Sequence, residues 1–377
     1  MESGDNDPGK AYWVCCTMVC FSPHVIDIIC RLESLPIKQD RGFHFLTQYW
    51  FISTKHRRNA NLALFTCVLA FVVILLGAYT RLTNAGLSCP DWPNCYGYIT
   101  APHTMTQLQD AASRYPTAPI DIKKAWTEMT HRYFAGTEGI LILILSISIF
   151  IHRKTTDIKP IIMGSSLIAL LCIQIMLGML TVTEKLKPVI VLAHLLTGLS
   201  ILSVLWWTYL SLRKHSHFYL KKSYPALMPW FWLGFIIIAG QITLGGWVST
   251  HYAGLACIDF PYCNGKVIPA MQWHNLNSDL ITIHMLHRIG AMITATYLLI
   301  TSLWLMRIPA LRSLGVLILA LMTLQLTLGI FNIIWLRPVW IALIHHAVAI
   351  FLLLTMIMLL VKAHFEPRDN RYVTFAA

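Results

Sequence analysis

The sequence predicts an all-α membrane protein with eight transmembrane helices, arranged as two parallel-repeat four-helix bundles. Hydrophobic residues make up 56% of the 377 residues and charged residues only 12%, which is too apolar for an ordinary soluble enzyme. Segments with few charges, long enough to cross a bilayer, recur along the chain. Motifs in the first half of the chain return in the same order in the second half.

Each predicted span is an apolar segment of about 20 residues, the length that a helix needs to cross the hydrocarbon core. The spans lie roughly at residues 60–80, 128–151, 160–181, 189–212, 227–249, 279–303, 312–334 and 338–362.

Membrane orientation explains the net charge of +12 better than nucleic acid does. Lys and Arg form short runs at alternate ends of the apolar segments, beginning at Lys55, Arg153 and Arg213. Because positively charged loops stay in the cytoplasm, both termini are predicted to be cytoplasmic. The loops at about 81–127 and 250–278 are then predicted to face outward. The expected surroundings are membrane lipid, and no nucleic acid partner is predicted.

Residues 1–54 fit neither half of the repeat. The stretch 11–30 is apolar, but it contains a proline and an aspartate and lacks a small-residue cleavage site, so it is neither a typical signal peptide nor a full span. We expect an extension that is either foreign to the native product or the result of a mis-assigned start. The predicted divisions are this extension, a first four-helix repeat at 55–222 and a second at 223–377.

Two cysteine-containing loops reveal the repeat. Residues 77–97 and 245–265 share nine identities in 21 aligned positions, including both cysteines of each loop. Since each copy has an even number of spans, both copies enter the membrane from the same side, and both loops lie on the outer face. The helices continue the pattern with His131 and His287, Arg132 and Arg288, Gln174 and Gln325, Gly178 and Gly329, and His194 and His345.

Four of the histidines inside predicted spans recur as pairs in the repeat: His131, His194, His287 and His345. Each is within about two turns of the outer face, near the start of an even-numbered span. The alternative to a functional role is a hydrogen bond that holds two helices together, but four such costly groups at one depth favour function. Neutral imidazole is a common ligand of haem iron, and six-coordinate iron takes one from each of two helices. The pairs His131–His194 and His287–His345 therefore predict two haem sites, and the repeat alignment favours His345 over its neighbour His346.

Glu128 lies three residues before His131, and the second half has His284 at the equivalent place before His287. Positions i and i+3 share a helix face, so Glu128 is predicted to point toward the same cavity as His131. An acid in one half only suggests that this half does chemistry while the other holds a cofactor. The alternative is a charge that favours the helix N-terminus.

Cys89 and Cys95, like Cys257 and Cys263, are separated by five residues in loops that contain Pro and Gly. In an oxidising compartment such pairs favour short disulfides. A zinc site is the alternative, although these thiols lack the CxxC spacing of structural zinc sites.

Arg132 and Arg288 each follow a proposed ligand, and Arg81 ends the first span near the same depth. A guanidinium group suits a propionate carboxylate because it can donate two parallel hydrogen bonds. The alternative for each arginine is a side chain that extends to the membrane surface.

These residues together resemble the haem A synthase family of bacterial and mitochondrial respiratory membranes. The resemblance covers about residues 55–365, and the extension lies outside it. It is carried by the segments GAYTRLTNAGLSCPDWPNCYG, EMTHRYFAG, LAHLLTG, QITLGGWVS, MLHRIGA and LIHHAVA.

The resemblance implies an oxidoreductase that converts the C8 methyl of haem O to a formyl group, giving haem A for a terminal oxidase. In such proteins one half holds a haem B cofactor and the other binds the substrate haem. Carried over by position, the haem B residues are His287, His345 and Arg288, the substrate-haem residues are His131, His194, Arg132 and Arg81, and the catalytic acid is Glu128.

The resemblance also implies the disulfides Cys89–Cys95 and Cys257–Cys263 and a bacterial cytoplasmic membrane location. It allows a haem O synthase and a second copy of the chain as partners, and it does not identify the electron acceptor or donor. A di-haem electron-transfer cytochrome fits two bis-histidine sites equally well, but it gives no reason for Glu128 in one half only. A membrane carrier is a third alternative, because duplicated bundles also form transporters.

Overall fold

The computed structural model describes residues 39–152, 158–213 and 224–364. The chain divides into two compact units, Met1–Thr54 and Lys55–Ala377, and the second unit contains every side-chain contact discussed below. Most of the N-terminal extension predicted at 1–54 lies outside the described residues.

The described residues form nine α-helices and three short 3-10 helices. The 3-10 helices are Pro225–Leu227, Ala253–Leu255 and Trp273–Asn275. The α-helices are α1 (Gln39–Leu82), α2 (Met105–Arg114), α3 (Ile122–His152), α4 (Ile158–Thr183), α5 (Pro188–Leu212), α6 (Met228–Thr250), α7 (Leu280–Met306), α8 (Arg312–Ile334) and α9 (Val339–His364).

Eight of these α-helices are long and apolar enough to cross a membrane, and α2, with ten residues, is the exception. The predicted all-α class and the eight spans are confirmed, and the chain is a multi-pass membrane protein. A helix satisfies its own N–H and C=O groups, which hydrocarbon requires of any spanning segment. The described residues contain no strand beyond two isolated bridges, Cys95–Tyr98 and Cys263–Lys266.

Local sequence explains where several helices begin. α5 begins at Pro188, whose missing N–H would be unpaired in the first turn anyway. α7 follows Asp279, whose carboxylate accepts the N–H of Thr282 at 3.0 Å. α2 begins with a capping box, in which Thr104 and Gln107 each accept a backbone N–H of the other.

The turns between α4 and α5 and between α8 and α9 share an uncommon backbone conformation. Lys185 and Leu186 have φ angles of 49° and 57°, and Leu336 and Arg337 have 55° and 60°. Left-handed backbone is rare for such side chains, so its return at equivalent places repeats a specific local conformation. The arrangement of all eight spans as two parallel bundles stays a prediction.

α9 is the most buried span. Of its most apolar stretch, 56% is buried, against at most 33% in the other spans. It packs against α5, α6 and α8. Trp206 of α5 donates through Nε1 to the carbonyl oxygen of Leu354 at 3.0 Å, and Leu202, Leu205 and Leu353 are buried in the same core. Contacts of α5 with both α6 and α9 therefore join helices from the first part of the chain to helices from the second.

Candidate functional site

The predicted cysteine pairs form disulfides in two compact loops. Cys89 is bonded to Cys95 after α1, and Cys257 is bonded to Cys263 after α6. All four cysteines are fully buried. Because each thiol is bonded to its loop partner, the four cysteines are not available as zinc ligands.

An aspartate holds the turn of each loop. Asp91 accepts the backbone N–H groups of Tyr96 and Gly97 at 2.6 and 2.8 Å. Asp259 accepts those of the two equivalent residues, both at 2.8 Å. The N–H of Gly265 holds the pKa of the exposed Asp259 carboxyl below its usual range, because it stabilises the ionised form.

Arg132 attaches the first loop to α3. Its Nη1 donates to the carbonyl oxygens of Asp91, Pro93 and Asn94 at 3.0, 3.1 and 2.6 Å. Its Nη2 donates to Glu128 Oε1 at 2.5 Å. The guanidinium group predicted to contact a propionate is thus engaged with carbonyl oxygens and a carboxylate of its own half.

Arg288 attaches the second loop to α7 in a similar way. It donates to the carbonyl oxygens of Cys257, Asp259 and Tyr262 at 3.0, 3.2 and 2.9 Å. Its Nε is buried and has no hydrogen-bond partner among the described residues. Arg288 therefore keeps its Nε–H donor available for a ligand.

Glu128 lies between α3 and the first loop, and its side chain is buried. Oε2 accepts the N–H of Cys89 at 2.9 Å, and Oε1 accepts the bond from Arg132. His284, at the equivalent place, has Nδ1 2.9 Å from the carbonyl oxygen of Ala253. At this position the first half thus has a carboxylate that accepts hydrogen bonds, and the second half has an imidazole nitrogen that faces a carbonyl oxygen.

Arg81 contacts the second half of the chain. Its Nη2 donates to the carbonyl oxygens of Ser249 and Thr250 at 2.7 and 3.3 Å, and its guanidinium group lies 3.8 Å from the ring centre of Tyr252. A small cleft lies there, and Arg337 is also among its lining residues. This contact between halves is not evident from sequence spacing.

Each site histidine lies against a glycine of another helix. A Cβ on Gly77 would stand 3.0 Å from His131 Nε2, and one on Gly245 would stand 3.1 Å from His287 Cε1. The glycines opposite the other two histidines, Gly178 and Gly329, would each place a Cβ 3.3 Å from the imidazole Cε1 of His194 and His345 respectively. Only a residue without a side chain allows these rings to pack so closely on the neighbouring backbone.

Glutamines accompany three of the four histidines. Gln174 Nε2 is 3.5 Å from His194 Nε2, and Gln325 Nε2 is 3.2 Å from the Nε2 of His345. Gln241 Nε2 is 3.0 Å from the Nδ1 of His287.

Within each predicted pair the histidines lie close enough for the charge of one to affect the other, His131 with His194 and His287 with His345. Their pairing at a haem stays a prediction. His131 is the tenth residue of α3, which begins at Ile122.

The donor set fits a haem in each pair. His194 Nδ1 and His345 Nδ1 are buried and have no hydrogen-bond partner within the described residues. A buried polar atom without a partner is costly, and metal ligation is one way to satisfy it. Paired imidazoles on facing helices are the ligands that six-coordinate haem iron uses.

Comparison with known proteins identifies the family of the chain. Residues 60–357 match the model of the COX15-CtaA family, described as cytochrome oxidase assembly protein. The chain is 40% identical over 309 residues to a haem A synthase of Shewanella oneidensis, covering 78% of this chain and 92% of that protein. It is 29% identical over 321 residues to one of Ehrlichia ruminantium, covering 78% and 90%. It is 24% identical over 396 residues to haem A synthase COX15 of Saccharomyces cerevisiae, covering 88% and 77%.

Proposed function

The chain belongs to the COX15-CtaA family of haem A synthases, and on that premise we propose that it oxidises the C8 methyl of haem O to a formyl group. It is an oxidoreductase of the membrane whose product serves cytochrome oxidase. Side chains alone do not oxidise an unactivated methyl group, so a bound haem cofactor supplies the redox chemistry. The protein's own residues bind, orient and exchange protons.

The two halves of the chain have different tasks in this proposal. Residues 55–222 form the substrate half, and residues 223–377 form the cofactor half, as two parallel four-helix repeats. The observation that carries this division is the difference between Glu128 and His284 at equivalent positions beside otherwise similar histidines.

The cofactor half would hold haem B through His287 and His345. Gln241 orients His287, and Gln325 orients His345, as partners of metal-binding histidines commonly do. The free Nε of Arg288 is suited to donate to a propionate oxygen.

The substrate half would bind haem O between His131 and His194. Arg132 and Arg81 would act near its propionates, with Arg132 already holding the first disulfide loop beside the site. The farnesyl tail of haem O would remain in lipid, which an intramembrane site permits.

Glu128 would manage protons at the reacting centre. Its carboxylate already accepts bonds from Cys89 and Arg132, so accepting a proton requires that one of these bonds weaken. In this proposal the carboxylate couples the state of the substrate to the position of the first loop.

The proposed location is a bacterial cytoplasmic membrane with both termini cytoplasmic and both disulfide loops outside. A haem O synthase is a proposed partner because it makes the substrate, and self-association is a proposed property. Membrane lipid surrounds the spans.

Expression in a membrane that lacks haem A tests the function directly. The chain would be produced with and without a haem O synthase, and the extracted haems would be identified by chromatography and mass. We expect haem A or its hydroxylated precursor only when haem O is supplied. Haem B alone in both cases, with the protein folded and loaded, would contradict the proposal and favour an electron-transfer cytochrome.

A further inference from the structure

Glu138 is a second carboxylate of α3, near the middle of the spanning segment Ile122–Ile151. Its side chain is only 9% exposed, and it forms no hydrogen bond or ion pair with the residues that the structure describes. Two helical turns separate it from His131, so the two side chains share one face of α3 and lie about 10 Å apart along it. An ionisable group within a membrane span is costly, and functional sites are where such groups are usually found.

Other polar groups continue from Glu138 to the end of α3 that lies away from the disulfide loop. Cys67 of α1 is buried. Ser146 Oγ is buried and has no partner among the described residues. Ser148 Oγ donates to Asn59 Oδ1 at 2.7 Å. We call these five residues the polar seam.

The second half of the chain lacks this seam. The positions equivalent to Asn59 and Cys67 are Leu227 and Phe235, and the position equivalent to Ser148 is Trp304. The other two equivalent residues are polar but have partners: Thr294 donates to the carbonyl oxygen of Gly290, and Ser302 donates to that of Gly315. This set of five polar residues is therefore a feature of the half to which we assign the substrate, and the other half does not repeat it.

Few charged groups surround Glu138. The segment Pro160–Thr183 of α4 contains no Asp, Glu, Lys, Arg or His, and its Cys172 is exposed. Among the described side chains of α1, α3 and α5, the other titratable or charged residues are Arg57, Arg58, Cys67, Tyr79 and Arg81 on α1, Lys123, Lys124, Glu128, His131, Arg132 and Tyr133 on α3, and His194 and Tyr209 on α5.

We propose that Glu138 is the proton acceptor and donor that balances charge at the substrate half, and that the polar seam connects it to the side opposite the disulfide loops. This inference rests on the proposed binding of a haem between His131 and His194. Reduction of a haem held there by an added reductant would add one negative charge to the site, and the Glu138 carboxylate would offset it by taking one proton from water and becoming a neutral acid. Reoxidation would release that proton along the seam.

Infrared difference spectroscopy of the full chain, purified with its haems from cells that contain a haem O synthase, tests this assignment. The sample is kept anaerobic, reduced with dithionite and compared with the oxidised state in H2O and D2O. We expect reduction to produce a carboxylic acid C=O band that shifts in D2O. The band should be lost in Glu138→Thr, which copies the second half, and in Glu138→Gln, which keeps the size of the side chain.

Thr294→Val is the matched control, because it changes the equivalent position of the other half and should keep the band. The visible spectrum of the second-half haem reports that each variant is folded. If Glu138→Thr binds two haems and keeps the band, the role of Glu138 is wrong, while the proposed substrate site stands. If the wild-type chain binds a single haem, and that haem is lost in His287→Ala and kept in His131→Ala, both the proposed substrate site and this inference are wrong.

Discussion

The glycines opposite the site histidines are the residues most sensitive to enlargement. Gly245 lies against His287, whose ring is also held by Gln241 at 3.0 Å, so the imidazole has little freedom to move away. The four histidines could be singled out from their type and span position, because a polar side chain is costly inside an apolar segment. Their glycine contacts could not, since periodicity does not determine which backbone lies opposite a side chain.

Gly245→Ala is expected to weaken haem binding in the second half roughly 10-fold, the effect of disturbing the surroundings of a metal ligand. Haem content per chain, measured by absorbance after purification, checks this. Gly240→Ala on the same helix is the control, because a Cβ there meets nothing within 4 Å. Equal haem content in the two variants would show that the close contact with His287 is unimportant.

Glu128→Gln is expected to slow haem O conversion by roughly 100-fold or more, since a positioned acid or base contributes about that factor. The amide retains the size of the side chain and can still accept the N–H of Cys89, so both disulfides and both haems should remain. Rates are measured from the haem A formed over time in membranes supplied with haem O. A normal rate would exclude a proton-transfer role for Glu128.

The arginines show where residue type was insufficient to predict a contact. Arg132 and Arg288 are proposed to contact propionates, and both also donate to carbonyl oxygens of the adjacent loops, which residue type did not predict. Buried carbonyl groups need donors, and the loops satisfy theirs with the nearest guanidinium group. The sequence does not reveal that a loop folds back over the helix that follows it.

At the scale of elements, the disulfide loops and the tight turns are the best preserved parts of the repeat. Trp92–Pro93 and Phe260–Pro261 are both cis peptide bonds, and Asn84 and Tyr252 are both left-handed at equivalent places. The spans could be predicted well, because 20 apolar residues have few alternatives to a helix in hydrocarbon. Helix α2 was not predicted, because its polar composition resembles a loop, although the Thr104–Gln107 capping box is a readable signal.

Removing an aspartate from one loop should loosen that loop alone. In Asp259→Ala, two backbone N–H groups lose their acceptor, so the Cys257–Cys263 disulfide should be reduced faster by a mild thiol, while Cys89–Cys95 is unchanged. Timed alkylation and mass analysis of each loop peptide gives the two rates. Equal acceleration of both disulfides would contradict independent loops.

The same carboxylate predicts a pH dependence. The pKa of Asp259 is lowered in the fold, so its contribution is fully present above the ordinary pKa of about 3.9 and is lost as pH falls through the lowered value. Near neutral pH the wild-type loop should therefore resist reduction independently of this group's titration. If the rate at which Cys257–Cys263 is reduced instead changes between about pH 6 and 8, a group other than Asp259 controls the loop.

At the scale of the whole molecule, α5 and α9 join the parts of the chain that repeat one another. The Trp206 bond to Leu354 and the Arg81 bonds to Ser249 and Thr250 are contacts between those parts. The repeat itself could be predicted from aligned motifs. The side chains that connect the two copies could not, because they differ between the copies and follow no shared pattern.

The assignment of substrate and cofactor to different halves is the central claim, and a pair of matched variants tests it. His131→Ala and His287→Ala would be produced with a haem O synthase, and the haems bound to each purified chain would be identified by mass. We expect His131→Ala to retain haem B and form no haem A, and His287→Ala to lose haem B. Loss of haem B from His131→Ala, with His287→Ala still loaded with haem B, would contradict the assignment of the halves.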